Sequence, residues 1–192
     1  MPDRNDAALD FLLTRRSRPA QTLTTPVPDR AALTEILTAA ARSPDHGKLE
    51  PWRFIVLNEA ALSRLAEACP AAAARLNIPS DKADKQRDRF AAAHLAVVVV
   101  ERPVPSDKVP PVEQTYAVGG VCLALVNAAL AAGYGANWLS GWASHDPQFV
   151  QEHLGLSAEE RVAGIVHIGT ETSAPPDRPR PDLDAITTWV EA

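Results

Sequence analysis

Arg15, Arg16 and Ser17 stand in a row near the N-terminus, and Arg18 extends the run. Guanidinium forks beside a hydroxyl are a donor set suited to a phosphate, because each fork can pair with two oxygens of a dianion. In a chain of formal net charge -5 an anion has to be met by such a local cluster. Taken alone, Arg-Arg-Ser-Arg is more simply a solvated basic helix end, favoured there by the helix dipole. A second set, Arg42 and His46, brackets a tight Ser-Pro-Asp turn. His46 reads there either as a donor to a ligand or as a group that satisfies its own turn. A third segment, Trp138-Leu139-Ser140-Gly141, offers backbone groups and a hydroxyl at the end of a short strand. Other chemistries lack their motifs. No GxGxxG follows a strand, as a resident dinucleotide in a Rossmann pocket would require, and no GxSxG elbow is present. His46, His94, His145, His153 and His167 form no HExxH and have no cysteine close by, so no metal site is expected.

These residues need elements to hold them. Leu9, Leu12 and Leu13 share one side of a helix over 6–16 that the basic run ends and Pro19 stops. Asp29 can cap a second helix reaching Ala41, and Pro44 ends it. Trp52 to Leu57 reads as a strand, followed by Asn58 as the cap of a helix over Ala-Leu-Ser-Arg-Leu-Ala-Glu-Ala. Residues 70–90 look mobile, with a helical piece beginning near Ser80. Val97 to Val100, four valines in succession, predict a strand buried on both faces. A proline-rich loop from Arg102 to Pro111 leads into a long helix from Val112 to about Ala132, ended by Gly133 and Gly135. A strand at Ala136 to Leu139, a helix at Pro147 to Leu154 capped by Asp146, and a strand at Val162 to Ile168 complete the core. The tail from Ser173 carries prolines at 175, 176, 179 and 181 and is expected to be extended, regaining apolar character from Leu183 to Val190.

The 192 residues suffice for one domain with a substantial core. The acidic balance argues against a general nucleic-acid binder, which needs a positive surface to displace counterions. Cys69 and Cys122 lie far apart without a CxxC partner, which fits a reducing compartment, and no secretory signal opens the chain, so a cytoplasmic protein is expected. Gln114 to Ser144 carries no charged side chain, a run long enough to cross a bilayer core of about 30 Å. Asn127, the Gly119-Gly120 pair and the many alanines favour instead a helix buried all round, by its own sheet and by a second copy of the chain.

Arg15-Arg16-Ser17, then Arg42-Ser43-Pro44-Asp45-His46 with Pro51-Trp52, then Lys108-Val109-Pro110 with Glu113-Gln114, and lastly Gly135 to Gly141 form one ordered pattern. In these segments, over about residues 9–170, the chain resembles the FMN-dependent nitroreductase family, in its compact single-domain branch of NAD(P)H nitroreductases. The resemblance implies an α+β domain over 1–192, with a central mixed β-sheet flanked by helices and an extended tail over about 173–192. It implies a homodimer with FMN at the interface and NAD(P)H as a transient co-substrate. Nitroaromatics or quinones would be reduced by a ping-pong hydride mechanism in which flavin N5, and no side chain, carries the chemistry. Arg15, Arg16 and Ser17 would hold the phosphate, Arg42 and His46 would contact the flavin, and Trp138, Leu139 and Ser140 would reach it through backbone and hydroxyl groups. Ala128 to Gly133 resembles a segment associated with NAD(P) in that branch, though its residues offer little beyond backbone and helix packing is the stronger account. Leu139 departs from the arginine of close relatives, and Gly47 from a small polar residue. Flavin-linked dehydrogenation, dehalogenation or flavin fragmentation on the same fold, and a flavin-binding protein without turnover, are the alternatives.

Overall fold

The computed structural model describes residues 3–191. Helix α1 (Asp6–Thr14) is capped by Asn5, whose side chain accepts from the Ala8 amide at 3.0 Å. None of its residues is buried, and Leu12 and Leu13 face outward. It stops two residues short of the expected end, because the Arg18 amide donates to the Ala136 carbonyl at 2.8 Å and draws the chain out straight. A two-residue strand β1 (Leu23–Thr24), which has too few residues for a pattern, precedes α2 (Arg30–Ala40), capped by Asp29 as expected.

Strand β2 (Trp52–Asn58) runs into α3 (Glu59–Arg75), capped by Asn58. This helix continues through Pro70, into the stretch expected to be mobile. An interior proline costs about 3 kcal/mol. Leu62, Leu65, Ala66, Cys69 and Ala72, all buried in one apolar cluster, offset it. Helix α4 (Ser80–Ala91) packs back against α3 and delivers the chain to β3 (Leu95–Glu101). Every residue of β3 is buried. Val97 and Val99 enter the apolar layer under α2, while Ala96, Val98 and Val100 enter the layer under α3 and α4. A strand covered on both faces has no polar side to show, which accounts for the valine run.

Helix α5 (Pro111–Ala131) packs on α2 and on the sheet, and Gln114 ties the proline-rich loop down by exchanging two hydrogen bonds with the Val104 backbone, at 2.8 and 2.9 Å. After it come β4 (Gly135–Leu139), a one-turn α6 (Trp142–His145), α7 (Pro147–Leu154) capped by Asp146, β5 (Arg161–Glu171) and, in the tail, a one-turn α8 (Leu183–Ile186). Only α5, among the described residues, is long and apolar enough to cross a membrane. One face of it fills the core through Val118, Val121, Leu125 and Val126, while Val112, Tyr116 and Leu123 stay exposed. Within one chain it is therefore not buried all round.

Strand β5 is the hub of the sheet: it pairs with β3, β4 and β1, and β3 pairs in turn with β2. Among the described residues every pairing is antiparallel, not mixed as expected. The reason is topological. Two helices, α3 and α4, connect β2 to β3 and return the chain to the end it left, so that Asn58 lies opposite Leu95. The single-helix crossover through α5 does make β3 and β4 run the same way, but β5 is inserted between them, with His167 opposite both Ala96 and Asn137.

Candidate functional site

The segment that follows α1 is stitched to β4 from both sides. Besides the Arg18 amide bond, the Asn137 side-chain amide donates to the Arg18 carbonyl at 2.7 Å. The first and last motifs are thereby brought together. Arg15 donates to Ser17 Oγ at 3.1 Å, and its buried Nε has no hydrogen-bond partner. Burial lowers the pKa of this guanidinium, and the nearby charges of Arg180, Arg16 and Arg18 lower it further. A half-buried cation among like charges, with a donor left over, has the chemistry of an anion site. Its neighbours are partly committed elsewhere. Arg16 donates to the Pro176 carbonyl at 2.6 Å and lies 3.5 Å from Asp177, so it holds the tail; Arg18 pairs with Glu171. Arg180, on the tail, pairs with Asp177 at 3.2 Å.

Where the segment continues into Pro19 opens a cleft of about 490 Å³. Pro19, Ala20 and Gln21 form one wall, Asn137 and Leu139 a second, and Lys85, Asp88 and Arg89 of α4, with Ala92 just past its end, a third. Strand alternation decides which motif residues reach it. Asn137 and Leu139 face the cleft, whereas Trp138 turns to the opposite face of β4, half-exposed and pressed against Gly164, where a Cβ would collide with the indole. There it borders a second depression of about 600 Å³, with Glu101, Thr115, Ser144 and Arg161. Ser140, one residue beyond β4, is exposed, and its carbonyl accepts from Arg89 at 3.2 Å.

Leu139 thus lines the cleft and Ser140 follows it on the loop that Arg89 holds, while Arg15 and Ser17 lie on the segment whose Arg18 is bonded to β4 and whose Pro19 lines the cleft. Arg42 and His46 do not join them within the chain. Both are exposed on the turn before β2, and His46 Nδ1 lies 2.7 Å from Glu113 Oε2 at the start of α5. That turn is built by Asp45, whose carboxylate accepts from the Leu49 and Glu50 amides at 2.6 and 3.0 Å, with Gly47 at a φ of 78° supplying the reversal. Sequence reasoning missed three cations. Lys85 and Arg89 are four residues apart on α4, and that spacing on one helix face was the available signal. Arg180 stands in a proline-rich tail without periodicity, and nothing local marks it. No group of three or more metal-ligating side chains is assembled among the described residues.

The donor set around Arg15 suits a phosphate, and the cleft where its segment continues into Pro19 has room and both polar and apolar walls for a flat ring. The chain is thus an α+β domain whose five-stranded antiparallel sheet is flanked by helices, with a basic segment bonded to the strand that borders the cleft. The chain belongs to the nitroreductase family, whose model matches residues 12–170. It is 32% identical to the Escherichia coli protein named "Putative NAD(P)H nitroreductase YdjA" over 163 residues, covering 85% of this chain and 87% of that one. A Haemophilus influenzae protein named "Putative NAD(P)H nitroreductase" is 35% identical over 165 residues, covering 85% and 88%. Among solved structures, a nitroreductase-like family protein from Bacillus cereus superposes with a TM-score of 0.80 over all of both chains at 24% identity. A "putative nitroreductase in complex with fmn" from Desulfovibrio desulfuricans does so with a TM-score of 0.75, over 98% of this chain and 99% of that one at 18% identity.

Proposed function

We propose that this oxidoreductase binds FMN, takes electrons from NAD(P)H and passes them to electron-poor small molecules such as nitroaromatics or quinones, working as a homodimer in the cytoplasm. The observation that supports the reading is that the segment carrying Arg15 and Ser17 is bonded through Arg18 to β4, the strand that borders the cleft. Bound flavin would supply hydride acceptance and donation, in two half-reactions that share one cleft.

The chain's own residues do the rest. Arg15 and Ser17 would grip the phosphate, with Arg180 beside them. Asn137, Leu139 and the backbone at Ser140 would border the ring, and Lys85 and Arg89 would set the sign of the local field. A ring bound there would displace water from the cleft, and those charges would then count for more than they do in solvent. The outward side of α5, with Val112, Tyr116 and Leu123 exposed and no charge from Gln114 onward, supports pairing with a second copy. The turn carrying Arg42 and His46 lies beside that helix through Glu113, so in a dimer formed on α5 it would lie near the interface.

The test is a visible absorption spectrum of the purified protein, without oxygen, before and after NADPH or NADH. A flavin spectrum bleached by either nucleotide is expected. Protein that is colourless and takes up no added FMN would refute the reading.

A further inference from the structure

The charges on α4 are unevenly used. Arg87 collects both neighbouring carboxylates, Asp84 at 2.8 Å and Asp88 at 2.8 Å. Asp88, the acidic group in the cleft wall, is therefore already paired. Among the described residues neither Lys85 nor Arg89 takes part in any ion pair, although both line the cleft. This wall carries uncompensated positive charge in a protein of net charge -5.

Arg89 is the more firmly held of the two. Its Nη1 donates to the Ser140 carbonyl at 3.2 Å and lies 3.5 Å from Gln86 Oε1. Gln86 is buried and sits so close under Gly141 that a Cβ on that glycine would strike its Oε1. Arg89, Gln86 and Gly141 thus join α4 to the loop leaving β4. Behind them His167, 2% exposed with neither ring nitrogen hydrogen-bonded, is pushed down to about 4, chiefly by burial and then by the charge of Arg89. It is neutral at pH 7, so the fixed charge here belongs to the guanidinium.

We propose that Arg89 positions the loop after β4 through the Ser140 carbonyl and, with its unpaired charge, sets the reduction potential of the flavin by favouring the reduced, more negative ring. The proposal rests on the flavin reading above. It assigns the potential to a residue of α4, with Arg42 and His46 secondary. The physical basis is that a fixed cation beside a site that gains negative charge on reduction stabilises the reduced form over the oxidised one.

The test uses the FMN-loaded full chain as wild type, Arg89→Gln and Arg89→Lys, with the midpoint potential titrated spectroelectrochemically and FMN affinity measured by fluorescence quenching. Arg89→Gln should lower the preference for reduced over oxidised flavin about tenfold, equivalent to about 30 mV for a two-electron couple. Arg89→Lys, which keeps the charge, should stay near the wild-type potential, and both should bind oxidised FMN within a few-fold because the phosphate grip is untouched. An unchanged potential in Arg89→Gln overturns the proposal and leaves the flavin reading intact. A fall in Arg89→Lys as large as that in Arg89→Gln overturns it as well, and Arg89→Met, judged by the same shift in potential, takes the place of the glutamine variant should that one not fold. Wild-type protein that takes up no FMN defeats both readings at once.

Discussion

Arg15→Gln should separate binding from stability by moving them in opposite directions. In the cofactor-free protein the Arg15 guanidinium is half-buried, its Nε lacks a partner, and burial together with Arg180, Arg16 and Arg18 works against its charge. Neutralising it removes that repulsion, so the apo variant should melt no lower than the wild type. With FMN bound, the same group should donate to a phosphate. A hydrogen bond to a charged partner contributes about 1.5–3 kcal/mol, and a forked pair shares much of its desolvation cost, so the loss should be about 2–3 kcal/mol. That is a dissociation constant about 30- to 150-fold weaker. The assay is a pair of measurements in phosphate-free buffer at low salt: thermal melts of apo wild type and variant, and FMN titrations followed by flavin fluorescence. A variant that binds FMN within about threefold of wild type would refute the assignment of the phosphate to this cluster. So would an apo melting temperature that falls by several degrees, because Arg15 would then be a structural cation.

Glu160 is held down to about 2 from an ordinary 4.5, first by its hydrogen bond from Arg53 and then through the Ser157 amide, against the cost of burial. Because its folded pKa is depressed, its contribution is present above about 4.5 and is lost as pH falls towards about 2. With Arg53 still 31% exposed, Glu160→Gln should cost about 1–2 kcal/mol in urea unfolding at pH 7. Near pH 2 it should cost almost nothing, and a pH-independent cost would contradict the linkage. Asp146 caps α7 through the Phe149 amide at 3.0 Å and pairs with Arg75 of α3. Asp146→Ala should lose about 2 kcal/mol and Asp146→Asn, which keeps the cap, less; equal melting temperatures for the two would exclude the ion pair as a contributor. Tyr116→Glu combined with Leu123→Glu should convert a dimer to monomers in analytical ultracentrifugation, and an unchanged mass would place the interface elsewhere.

The elements that sequence reasoning located well are those with a local physical signature. Asp29, Asn58 and Asp146 each announce a helix start because a short polar side chain accepts from an otherwise orphaned amide two or three residues on. Val97 to Val100 announce a strand buried twice over. Long-range features were hidden. Pro70 reads as a breaker, and only the packing of Cys69 and Ala72 on the core keeps α3 whole. An antiparallel sheet follows from counting helices between strands, which requires knowing that α3 and α4 are two helices. For the candidate site, Arg15 and Ser17 stood out because they are adjacent in sequence. Lys85 and Arg89 were obscured by the mixed charges of α4, since which of them are already paired depends on folded geometry. Trp138 and Leu139 could be assigned to a common segment, but which one faces the cleft is settled by the register of β4 on β5.

The hub position of β5 has a consequence for how the chain comes off the ribosome. β2 and β3 can pair as soon as both are made, yet β1, β3 and β4 all await a strand that begins only at Arg161. Until then β3 offers an open edge, apolar from Leu95 to Val100, the kind of template that recruits other chains. A transcript truncated before that point should therefore yield aggregates, whereas one ending just beyond Thr172 retains all five strands of the sheet.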